Sequence, residues 1–149
     1  MKFAIRSLAV VLLVGLAACS HNVNTTPGAT PPSPQYNAAV GSDDFSIGLR
    51  AFCDQAVNFK AAINDPAISV AIQQGCKKAA QSNKLASAAI RAGNSSGATA
   101  YLNASITILQ GLTPSLLNIK DANSQAAMKL AQSSAIAGLQ VAINLQPKP

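Results

Sequence analysis

From Phe45 onward the large apolar residues recur at Leu49, Phe52, Ala56, Phe59 and Ile63, in steps of four and three. With 3.6 residues per turn, that spacing puts them on one face of an α-helix. The pattern predicts a first helix opening at Ser42 or Asp43, either able to accept from the unpaired N–H groups of a first turn. Asn64-Asp65-Pro66 ends it and starts the next: Asp65 can cap, and Pro66 suits the first helical position, where no N–H is needed. The second pattern presents Ile68, Ile72, Cys76, Ala79, Ala86 and Ile90, and stops after Ala92 at Gly93-Asn94. Gly75 and Ser82-Asn83 are places where it can bend or split. Residues 94–97 read as a loop. The third pattern carries Leu102, Ile106, Leu109, Leu112, Leu116 and Ile119, with Pro114 inside it. Proline removes a helical hydrogen bond and clashes with the preceding turn, so a kink is expected, or a break with Thr113 capping a short new helix. The fourth starts near Asp121 and runs to about Leu145, polar and Ala-rich at first, more apolar from Ile136 to Ile143.

No run alternates long enough for a sheet. The expectation is an all-α fold: a small antiparallel bundle of about four helices over residues 43–145, antiparallel because the connections are short, with residues 146–149 frayed. Ahead of it, residues 19–42 hold Pro27, Pro31, Pro32 and Pro34 and few sizeable apolar side chains. Such a segment buries too little surface to offset its ordering entropy. It reads as a tether, reaching on the order of 70 Å if extended at about 3.1 Å per residue.

Composition narrows the chemistry. Charged residues are 11% of the 149, too few for charge-driven disorder or a charged coiled coil. The chain has 29 Ala, no Glu and one His, so the usual general acids and bases are nearly absent. His21 lies in the tether, which cannot hold a ligand or a base in place. The five Asp stand mostly at apparent helix starts, where a carboxylate favours the helix dipole. Asp54 is mid-helix beside Cys53, either a solvated position or an acid in a cleft. No zinc spacing, phosphate loop or Ser-His-Asp set is present, so no cofactor and no catalysis are expected.

The formal charge is +6, and part of it is organised. Lys77, Lys84 and Arg91 are seven residues apart and share a helix face. That face is either the solvated side of a bundle or a contact surface for anionic lipopolysaccharide or wall polymer. Aromatic residues do not interleave with these cations, so nucleic acid is not an expected partner.

The first residues form a separate pattern. Lys2 and Arg6 precede an apolar run over residues 8–16, which is shorter than the roughly 20 residues of a transmembrane helix. A basic start, a short apolar core and small residues after it make a secretory signal. The run ends in Leu16-Ala17-Ala18-Cys19. This tetrapeptide resembles the lipobox of bacterial lipoproteins and matches it at every position; the resemblance covers no part of the fold. It implies cleavage before Cys19, a diacylglycerol on its thiol and an acylated amine. Two or three acyl chains on one residue give stable anchoring. Residues 1–18 are then a signal peptide, and the protein is tied to a membrane by lipid. In enterobacterial relatives Asp after the lipidated Cys retains the protein in the inner membrane. Ser20 departs from that, which implies the outer membrane, facing the periplasm.

Export also bears on the other cysteines. With Cys19 consumed by lipid, Cys53 and Cys76 form an even pair in an oxidising compartment. Cys53 stands eleven residues before Asn64, and Cys76 eleven after Asp65. In an antiparallel hairpin turning at that point both lie at one height, about 17 Å from the turn. A disulfide between the first two helices is therefore expected. These features suit an envelope lipoprotein acting as a structural or accessory binding module, with an envelope protein or the cell wall as partner. A tethered carrier or sensor of a small apolar ligand between helices is the second class. A phage-encoded exclusion or lysis lipoprotein fits the same size and anchor.

Overall fold

The computed structural model describes residues 34–146, with side chains from Ser46 onward. The signal segment, Cys19, His21, residues 20–33 of the tether and the tail over 147–149 lie outside the described residues, as does the side chain of Phe45. Four long helices and two short ones make up the rest: α1 Pro34–Asn58, α2 Lys60–Ile63, α3 Pro66–Arg91, α4 Ser95–Gly111, α5 Thr113–Leu117 and α6 Ala122–Asn144. No strand occurs among the described residues, and the fold is all-α.

The first boundary corrects the sequence reading. Helix α1 opens at Pro34, so Ser42 and Asp43 lie inside it rather than at its cap, and the helical body reaches back into the predicted tether of residues 19–42. Pro34 is the last proline before Asn58, and in a first turn its missing N–H costs no hydrogen bond. At the other end Phe59 interrupts the regular helix, but its N–H donates to the Gln55 carbonyl at 2.9 Å, and the Phe59 carbonyl accepts from the Ile63 N–H at 2.8 Å. Helix α2 thus prolongs α1, and Leu49, Phe52, Ala56 and Ile63 are buried as one stripe with Phe59 packed against them.

The turn into α3 follows from three residues. Asn64 takes the left-handed conformation at φ 44°, which Asn tolerates better than most side chains. The Asp65 carboxylate accepts from the N–H groups of Ala67 at 2.9 Å and Ile68 at 3.2 Å, with Pro66 next to it in the first turn. Helix α3 then runs unbroken for 26 residues. Ser82 and Asn83 do not split it because their side chains bond to other helices instead of competing for their own backbone: Ser82 Oγ donates to the Tyr101 carbonyl, and Asn83 Nδ2 to Ser46 Oγ, both at 2.8 Å. Gly75 does not split it because the site is buried and filled by Leu112. The helix ends with Gly93 at φ 72°, the Asn94 N–H bonded to the Ala89 carbonyl and the Gly93 N–H to that of Ile90. That pair of bonds is the Schellman stop.

Pro114 breaks the third pattern at Leu112. Thr113 is the first residue of α5 and does not cap it. Its hydroxyl oxygen instead accepts from Gln132 Nε2 at 3.3 Å, and the same amide donates to the Leu109 carbonyl, which also accepts from the Leu112 N–H at 3.0 Å. Asp121 caps α6, accepting from the Ser124 N–H at 2.7 Å. Gln125 Nε2 satisfies the Leu117 and Ile119 carbonyls at the end of α5.

Each long helix packs on two others: α1 on α3 and α6, and α4 on α3 and α6. The pairings are antiparallel. Ser46 bonds to Asn83 and Cys53 meets Cys76, so seven residues forward along α1 match seven residues back along α3. Ser82 to Tyr101 and Ala79 to Ser105 give the same sense for α3 and α4. One main core results, with Phe52, Ile72, Leu102, Leu109, Leu116, Met128 and Leu139 fully enclosed, and Ile90 and Ala98 form a small second cluster. Ala79, Ala86, Ala135 and Ala142 are buried among them. Small buried side chains let helix backbones approach closely, which is how so Ala-rich a chain closes a core.

Candidate functional site: a cationic groove between α1 and α3

Cys53 and Cys76 fix the relative height of α1 and α3. Their sulfur atoms are at bonding distance and their Cα atoms 5.8 Å apart, inside the usual range for a bridge. The register predicted from the turn is the one observed. Cys76 is buried and Cys53 is partly so.

Beside this link a groove of about 650 Å³ runs between the two helices. Lys77, Lys84 and Arg91 all line it, so the heptad-spaced cations predicted to share a face do share one. Lys78 does not line it. Two residues that periodicity did not assign to this site complete it: Arg50 and Asp54, both from α1. Arg50 stands three residues before Cys53, so the register sets it level with Ala79 on α3, between Lys77 and Lys84. The cysteine spacing carried that signal; the periodicity of α1 alone did not. Asp54 is exposed at this groove and not enclosed in a cleft. Among the described residues four cations and one carboxylate line it, so that lining carries a net positive charge.

Asn83 also lines the groove, yet only 4% of it is exposed. Its amide nitrogen donates to Ser46 Oγ, while its Oδ1 accepts no hydrogen bond from the described residues. An unsatisfied buried carbonyl costs about 1–3 kcal/mol. The Asn83 acceptor is itself enclosed and has no surface open to the groove.

Other candidate chemistry stays separate from it. The Asp121 carboxyl is held below its ordinary value by the Ser124 hydroxyl and then by the Ser124 N–H, which is a capping role. Among the described residues no three His, Cys, Asp or Glu side chains come together as a metal site, and no histidine is present. No helix among them is long and apolar enough to cross a membrane. The arrangement can attract and hold an anion. Compared with known protein families, curated proteins and solved structures, the chain matches none.

Proposed function

We propose that this protein is a lipid-anchored, non-catalytic binding module of the bacterial cell envelope, held at the outer membrane on the periplasmic side. The observation that carries this reading is Leu16-Ala17-Ala18-Cys19 at the end of a short apolar run preceded by Lys2 and Arg6. The Cys53–Cys76 pairing supports it, because a bridge between two such thiols persists in an oxidising compartment. The lining of the α1–α3 groove supports a binding role, since it offers several cations and hydrogen-bonding groups.

Cross-linking in intact cells, followed by affinity recovery from the envelope and mass spectrometry, tests this function. The expected result is recovery in the outer-membrane fraction with one envelope component enriched over the bulk. For a Cys19→Ala chain, membrane recovery and that enrichment should both be lost. Recovery of bulk envelope proteins alone, or membrane association unchanged by Cys19→Ala, refutes it.

A further inference from the structure

We propose that the Cys53–Cys76 bridge is a thiol–disulfide exchange site, at which a small anionic thiol enters the α1–α3 groove and becomes linked to Cys53. The proposal goes beyond the envelope-binding reading and uses neither Cys19 nor its lipid. The first argument is access. Both cysteines line the groove, so the bridge forms part of its wall. They are not equally open: Cys53 is half-buried, while Cys76 is only 8% exposed and belongs to the main core. Exchange needs a thiolate to reach one of the two sulfur atoms, and its rate depends on which is accessible. Cys53 is therefore the residue attacked, and Cys76 the one that leaves. A groove of about 650 Å³ has room for the small adduct that results.

The second argument is charge. Arg50 stands three residues before Cys53, and Lys77 directly follows Cys76; both are exposed, and both line the groove. Two cations at the bridge draw in a thiolate that carries a further negative group, and they stabilise the sulfur that leaves as an anion. Asp54 lines the same stretch and offsets one of them. Lys84, about 12 Å further along α3 at 1.5 Å rise per residue, adds to the positive balance. In the exchange, the entering sulfur bonds to Cys53 Sγ while the Cys53–Cys76 bond breaks, and the electron pair of that bond departs on Cys76 Sγ. One sulfur–sulfur bond replaces another, so the thiol is the sole co-reactant. Attack by the Cys76 thiolate on the mixed disulfide expels the entering thiol and restores the bridge.

The test uses the full oxidised chain, purified from membranes in neutral detergent, and three small thiols: anionic mercaptoethanesulfonate, neutral mercaptoethanol and cationic cysteamine. Reactions are quenched by alkylation, and peptide mass spectrometry reads which cysteine carries the adduct. At equal thiolate concentration and low salt, the anionic thiol should react about threefold faster than the neutral one or more, and the cationic thiol slowest. High salt should remove the difference. Early adducts should lie on Cys53, with Cys76 alkylated, while circular dichroism still reports the folded bundle. Arg50→Gln with Lys77→Gln should lower the anionic-to-neutral rate ratio at least twofold, and Asp54→Asn should raise it. Lys120→Gln with Lys129→Gln, the same charge change at exposed positions outside the groove, should leave the ratio nearly unchanged. Early adducts on Cys76, reaction only under conditions that unfold the bundle, one rate for all three thiols, or equal effects of the two cation pairs would each overturn the proposal.

Discussion

Removing both cysteines of the α1–α3 link, as Cys53→Ala with Cys76→Ala, should lower stability by about 3 kcal/mol. The magnitude comes from the loop the bridge closes. With a sequence separation of 23, chain entropy removed from the unfolded state gives about 3 kcal/mol at 25 °C. Loss of the two sulfur atoms from partly and fully buried sites adds little, because alanine keeps the Cβ and the helix propensity at both. For a helical body of this size, 1 kcal/mol moves the melting temperature by roughly 3–5 °C, so the expected fall is on the order of 10–15 °C. Thermal melts followed by circular dichroism measure it on three samples: the oxidised chain, the same chain reduced, and the double variant. The reduced chain and the double variant should melt together, well below the oxidised chain, with one helical spectrum for all three at low temperature. If the double variant melts within about 3 °C of the oxidised chain, the loop-entropy reasoning fails.

Other expected outcomes follow from single contacts. A Cβ on Gly75 would lie 2.6 Å from Leu112 Cδ2, so Gly75→Ala should destabilise the native chain but stabilise a Leu112→Ala background by up to about 1 kcal/mol; additive effects in a double-mutant cycle would refute this. Asp65→Ala should cost about 1 kcal/mol by leaving the Ala67 and Ile68 N–H groups uncapped, and Asp65→Asn should restore most of it in denaturant titrations. Because Asp121 has a lowered folded pKa, its contribution is complete above the unfolded value near 3.8 and is lost as pH falls through the folded value below that. The melting difference between the native chain and Asp121→Asn should therefore shrink between about pH 5 and about pH 2, and a constant difference would contradict it.

Local chemistry made parts of this fold legible. Asp65-Pro66 and Gly93-Asn94 act through their own backbone and nearest turns, so their roles follow from sequence alone. The Cys53–Cys76 register was legible because both helices count from one turn. What escaped depends on tertiary contacts. Pro34 sits at the end of a proline-rich run, and composition assigned it to the tether although its own geometry permits a helix start. At Pro114 the sequence allows a kink or a break capped by Thr113; the helix breaks, but Gln132, nineteen residues away, uses the Thr113 hydroxyl instead. Arg50 and Asn83 flank the apolar stripes of their helices, and periodicity identifies the buried face without saying what lies beside it. Their meeting in one groove needs the register, the rotation and the neighbour together.

The most direct measurement is the intact mass of the protein extracted from membranes, taken without reduction. The expected species is the chain from Cys19 to Pro149, carrying a diacylglycerol and an N-acyl group and lacking two hydrogens for the Cys53–Cys76 bridge. Reduction should add those hydrogens back, and alkylation should then mark both thiols. A mass for all 149 residues, an unmodified chain beginning after the signal segment, or two alkylatable thiols before reduction would contradict a lipid-tethered, disulfide-linked envelope module.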